Sequence, residues 1–220
     1  MTETRRRVGV LISGRGSNMA TLVTAAARPD YPAEIVAVLS NRPGALGLAH
    51  AAAAGIPAEA VDHRAFPDRE AFERALDARI EAAGVELLCL AGFMRVLTPW
   101  FVARWAGRML NIHPSLLPLF RGTHTHEQAL AAGVRVHGCT VHFVVPELDA
   151  GPIVAQAAVP VLPGDDAAGL AARVLVEEHR LYPAALALVA GGAARLEAGR
   201  VVFAAGAGGA TGSLAVPALV

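Results

Sequence analysis

Cysteine is scarce in this chain, with two in 220 residues. Cys89 and Cys139 fall in separate apolar, strand-like runs without a paired motif. That reads as two buried reduced thiols in a cytoplasmic protein and argues against a disulfide-stapled scaffold. Net charge is also missing: Lys and Arg total 19, as do Asp and Glu, so no global electrostatic case exists for nucleic acid or a membrane surface. No apolar run reaches the roughly 18 residues of a membrane span. The most apolar stretch, Val85 to Leu97, is cut by Glu86 and Arg95. The basic triplet Arg5-Arg6-Arg7 precedes an apolar run too short for a secretory signal, and no cleavage site follows it. His-Glu-x-x-His and Cys-x-x-Cys spacings are absent, so no metal site is expected. The Gly-x-Ser-x-Gly elbow of serine hydrolases is absent as well.

What is present is an alternation of short apolar runs with helical stretches. That pattern predicts an α/β fold: an open, mostly parallel, twisted sheet with helices on both faces, and antiparallel strands toward the C-terminal part. Strands are expected over Val8–Ser13, Glu34–Leu39, Ala58–Val61, Val85–Ala91 and Arg108–Ile112, with longer ones over Val134–Val145 and Pro152–Val161. Helices are expected over Asn18–Ala27, over an Ala-rich stretch ending at Gly55, and over Asp68–Ala83 behind an Asp68 cap. A short helix opens at Thr98-Pro99, and a long one spans Asp165–Val189, kinked or split at Pro183. Residues 195–203 read as a hairpin. The Gly/Ala-rich stretch 204–220 reads as a disordered tail behind a single domain, 1–203.

Three stretches carry chemistry. In Leu110 to Gly122 a strand delivers Asn111 and His113 to the same face, because residues two apart on a strand share a face. Pro114 and Pro118 then restrict the loop that follows. Gly14-Arg15-Gly16-Ser17-Asn18 follows a strand and opens a helix, which offers backbone N–H groups to a phosphate. A dinucleotide reading is weaker: the second strand ends in Ser40-Asn41-Arg42 rather than an acid, and Met19 stands where a third glycine would be. An NADP site using Arg42 is conceivable, but a mononucleotide or sugar phosphate fits better. Asp149, in Leu148-Asp149-Ala150-Gly151-Pro152, has the form of a turn, yet it lies where a late connection can meet an imidazole from a neighbouring strand and favour its charged form.

Together these residues carry a resemblance. Val10 to Asn18, Leu90 to Leu97, Asn111 to Pro118, Leu148 to Pro152 and Glu178 to Pro183 resemble, in order, the phosphoribosylglycinamide formyltransferase family. The similarity runs from about residue 7 to 195, and its Asn-x-His-Pro-Ser-Leu-Leu-Pro block is specific to enzymes of formyl-tetrahydrofolate.

The resemblance implies a Rossmann-like formyltransferase domain that moves a formyl group from 10-formyltetrahydrofolate to the amine of glycinamide ribonucleotide in purine synthesis. It implies Asn111, His113 and Asp149 as catalytic residues, with the amide and imidazolium facing the oxyanion and Asp149 holding His113 charged and oriented. Gly16, Ser17, Asn18, Met19 and Glu178 match the ribonucleotide-binding positions. Arg69, Met94, Arg95, Val96, Leu97 and Asn111 match the folate-binding positions. Small-molecule substrates are the expected partners, with no nucleic acid and no membrane, on a monomer or homodimer. Arg121 departs from the pattern, standing where the family often has Pro. Its Arg-Gly pair resembles methionyl-tRNA formyltransferase, whose further tRNA-binding domain is not expected here. Hydrolysis of the same donor is the nearest alternative, and a non-catalytic nucleotide-binding module, sensing NADP for instance, is the alternative of another class.

Overall fold

A computed structural model describes residues 5–207, together with Gly209 and Val216. Seven strands form one sheet: β1 (Arg6–Ile12), β2 (Ala33–Ser40), β3 (Ala58–Ala60), β4 (Leu87–Leu90), β5 (Met109–His113), β6 (Val136–Phe143) and β7 (Ile153–Pro160). Their order is β3-β2-β1-β4-β5-β6-β7. Every pairing from β3 to β5 is parallel, while β6 and β7 run antiparallel to their neighbours. The mostly parallel sheet with a late antiparallel part is therefore as the residue pattern predicts. A small hairpin, β8 (Ala194–Glu197) and β9 (Arg200–Phe203), forms a separate two-stranded sheet.

Period-two alternation splits the strand side chains between two cores. From β1, Val8, Val10 and Ile12 join one cluster and Leu11 the other; from β4, Leu87 and Cys89 go one way, Leu88 and Leu90 the other. The first cluster is covered by α1 (Ser17–Ala26), α2 (Leu46–Ala53), α5 (Thr125–Ala131) and α6 (Ala167–Ala190). The second is covered by α3 (Arg69–Ala82) and α4 (Pro99–Arg104). Parallel strands buried on both faces explain why these runs read as continuously apolar.

Two helix starts behave as expected: Asp68 accepts the Ala71 N–H at 2.8 Å, and Thr98 caps α4 by accepting from Phe101. Of the two alternatives at Pro183, the split fails. α6 is not split at Pro183 but runs through it as one 24-residue helix. Burial holds it there: Leu170, Val174, Tyr182, Ala185 and Leu186 pack into the first core, and the Tyr31 hydroxyl donates to the Pro183 carbonyl at 2.6 Å. The Tyr182 hydroxyl also lies 3.1 Å from the carbonyls of both Leu90 and Leu110, tying α6 to β4 and β5 where the site begins. Most of the stretch expected to be a disordered tail lies outside the described residues. Its first residue, Ala204, is held by a backbone bond to Ala193. No helix among the described residues is long and apolar enough to cross a membrane.

Candidate active site

Asn111 and His113 continue the row begun by Met109 on β5, where β4 has ended and the parallel part of the sheet meets its antiparallel part. Open α/β sheets characteristically bind ligands at the carboxyl ends of their strands. His113 is 4% exposed. Its Nε2 lies 2.9 Å from the Phe120 carbonyl, so Nε2–H donates there and the ring is oriented with Nδ1 toward Asp149, whose Oδ2 is 3.4 Å away. The same Oδ2 accepts the Gly122 N–H at 2.9 Å. Phe120 and Asp149 both adopt left-handed backbone, φ 54° and 49°. Non-glycine residues rarely do so, at about 1–3 kcal/mol each, and such strain clusters at functional sites.

Sequence reasoning passed over His142. In the β5–β6 register it stands opposite Asn111. Its Nδ1 is 2.9 Å from the Phe143 carbonyl and donates to it, which leaves Nε2 to accept from Asn111 Nδ2 at 3.3 Å. Burial lowers the His142 pKa and keeps the ring neutral. One N–H of the Asn111 amide is thus engaged and the other is left for a ligand. A bulge at Val141/His142 and the closing turn at Gly151 complete this corner. A Cβ on Gly151 would come within 1.7 Å of the Phe143 carbonyl oxygen, so only glycine fits. The antiparallel pairing is the signal that could have found His142, since it places a β6 residue directly across from Asn111.

These groups share a cavity of about 570 Å³, to which Asn18, Met94, Asn111, His113, Asp149 and Glu178 all contribute. Asn18 Nδ2 donates to Glu178 Oε2 at 2.6 Å, and burial raises the Glu178 pKa. Asn18 Oδ1 is buried without a partner among the described residues. Gly16 caps α1 in left-handed conformation, φ 75°, against Gly47 and without a side-chain hydrogen bond. The N–H groups of Ser17, Asn18 and Met19 therefore have no partner within the helix. The Met19 side chain itself is buried in the core, so its only polar offering is that backbone N–H.

A narrower recess of about 110 Å³ adjoins the cavity and shares Asn111 and Asp149 with it. Its outer wall is the segment after β4, pinned at both ends. The Met94 N–H donates to Ser13 Oγ at 2.8 Å, and the Thr98 N–H donates to Glu73 at 2.9 Å. Between these anchors, the Arg95, Val96 and Leu97 N–H groups find no partner among the described residues. That row of amides suits a flat heterocyclic edge. Met94, Val96 and Leu148 expose large apolar surface at the rim. Arg69 lines neither cavity; it sits exposed on the first turn of α3.

Comparison with known proteins agrees with this geometry. A family model described as formyl transferase matches residues 6–186. Phosphoribosylglycinamide formyltransferase of Escherichia coli is 46% identical over 183 residues, covering 83% of this chain and 86% of that protein. The trifunctional purine biosynthetic protein adenosine-3 of Bos taurus is 50% identical over 200 residues, 90% of this chain, but the match spans only 20% of that longer protein. The crystal structure of glycinamide ribonucleotide transformylase 1 from Symbiobacterium toebii superposes with a TM-score of 0.88 at 47% identity, covering 90% of this chain and 94% of that one. With the Asn-x-His strand, Asn18 at the end of the glycine loop and the Asp149 turn meeting around one cavity, and the match running through all three, this chain belongs to the formyl transferase family.

Proposed function

We propose that this chain transfers the formyl group of 10-formyltetrahydrofolate to the amine of glycinamide ribonucleotide, with residues 1–203 acting as one catalytic unit. The observation that carries this reading is the convergence of Asn111, His113 and Asp149 on a cavity that also reaches Asn18 and Glu178. The unpartnered amides of Arg95 to Leu97 fit the pterin edge of the donor, and the apolar rim fits its flat body. The free N–H groups of Ser17 to Met19 fit the ribonucleotide phosphate. Arg69, near the Glu73 anchor, is free to meet the donor's carboxylate tail from outside the recess.

The acceptor amine attacks the formyl carbon, forming the new C–N bond as the carbonyl oxygen gains charge. The free N–H of Asn111 donates to that oxyanion, and the imidazolium form of His113 beside it stabilises it through its charge. Asp149 accepts from the His113 Nδ1 proton and balances its charge. Collapse expels N10 of the donor, with the amine proton delivered to it through His113 or a water. Donors already fixed by Phe120, His142 and Asp149 need no reorganisation when charge develops, which is where such sites gain most.

Incubation with 10-formyltetrahydrofolate, with and without glycinamide ribonucleotide, tests this reading. Tetrahydrofolate is expected only when the acceptor is present. Release without acceptor indicates hydrolysis, and no turnover under either condition indicates a binding module; both overturn the proposal.

A further inference from the structure

Across the glycine loop from the active-site cavity lies a second basin of about 660 Å³, over the loops that follow β1, β2 and β3. Arg15, Arg42 and Arg64 line it together with His63, and no acidic residue is among its lining residues. The chain as a whole carries no net charge, so this is a local concentration and not a basic protein's background. Arg64 is held by Asp62 at 2.8 Å, but Arg15 and Arg42 form no ion pair with any described residue.

The floor beneath these arginines is built. Ser13, Ser40 and Asn41 are buried. The Ser13 hydroxyl donates to Asn41 Oδ1 at 2.6 Å, and His63 Nδ1 donates to the Asn41 carbonyl at 2.8 Å. The Ser40 hydroxyl meets the Arg42 backbone at both N–H and carbonyl, each 3.0 Å away, which fixes the turn that presents Arg42. Three loops are thus locked together under exposed guanidinium groups. The place is also the end of the second strand, where nucleotide-binding α/β folds read the ribose and where an arginine accommodates a phosphate on it. Guanidinium forks match phosphate oxygens bidentately, and two or three of them answer a dianion better than a single carboxylate.

We propose that this basin is an oxyanion site that takes a phosphomonoester group through Arg15, Arg42 and Arg64, separate from the active-site cavity. The group is carried by a nucleotide or is free phosphate. Binding here does not depend on formyl transfer, so it is tested without donor or acceptor.

The experiment is a titration of the ¹⁵N-labelled chain with inorganic phosphate and, separately, adenosine 5′-monophosphate at low ionic strength, following backbone amide shifts. Amides of Gly14, Arg15, Gly44 and Ala45 are expected to move with saturation, and rising KCl is expected to weaken the effect. Arg42→Glu/Arg64→Glu changes two exposed side chains and is expected to weaken binding about tenfold or more while leaving formyl transfer at wild-type rate. Tighter binding of the monophosphate identifies a nucleotide; equal binding identifies phosphate alone. The proposal is overturned if these amides do not move, if only Ser17 to Ala20 respond, or if the double variant binds as tightly as wild type.

Discussion

The two flanks of the sheet hold their polar groups in opposite ways. On the β5–β7 flank they are buried and individually partnered: His113 against Phe120 and Asp149, His142 against Phe143 and Asn111. On the β1–β3 flank the charges are exposed and only the floor beneath them is buried. The first arrangement suits a reaction, because groups fixed in advance need not reorganise around a developing charge. The second suits attraction of an anion, where exposed guanidinium groups act through charge and stay sensitive to salt. Substitutions on the first flank should therefore change turnover, and those on the second should not.

Asn111→Ala removes an oxyanion donor and should lower turnover by about 10²–10³-fold with the fold intact by circular dichroism. Arg42→Ala in the same assay should leave the rate unchanged; a comparable loss would erase the contrast between the flanks. Asp149→Asn comes next. The new side chain can still accept the Gly122 N–H but carries no charge for His113, so turnover should fall about tenfold or more, read as kcat with KM little altered.

This difference between flanks also decided what the sequence could tell. The order of strands and helices was readable because the central parallel strands are largely apolar on both faces. Asn111 and His113 were readable because two-residue spacing on a strand fixes their common face. His142 was not, since its role depends on an antiparallel register and a bulge that no local pattern encodes. The Phe120 carbonyl was hidden for a similar reason: a backbone atom placed by a left-handed residue leaves no side-chain signature. Pro183 does not split α6 because local helix-breaking chemistry is outweighed by the burial of the helix on both sides of it.

Smaller effects sharpen the same contrast. Gly151→Ala drives a Cβ into the Phe143 carbonyl and should destabilise the fold by about 1–3 kcal/mol in urea unfolding. Ser13→Ala removes the acceptor for the Met94 N–H, and should raise KM for the folate donor about five- to tenfold with kcat nearly unchanged.

Stability also depends on acid. Burial lowers the pKa of His126 and His142 and brings His137 down to about 4, against a usual 6.5. Between those values the unfolded chain binds more protons than the folded one, so stability is fully present above about pH 6.5 and declines as pH falls toward about 4. Urea midpoints across that window should show the decline, and His137→Asn should flatten it.

Acceptor-dependent formyl transfer by His113→Ala, measured beside wild type at saturating 10-formyltetrahydrofolate and glycinamide ribonucleotide, tests the central claim most directly. The account predicts a loss of about 10²–10³-fold or more in a protein that still unfolds cooperatively. Transfer within a few-fold of wild type would contradict it.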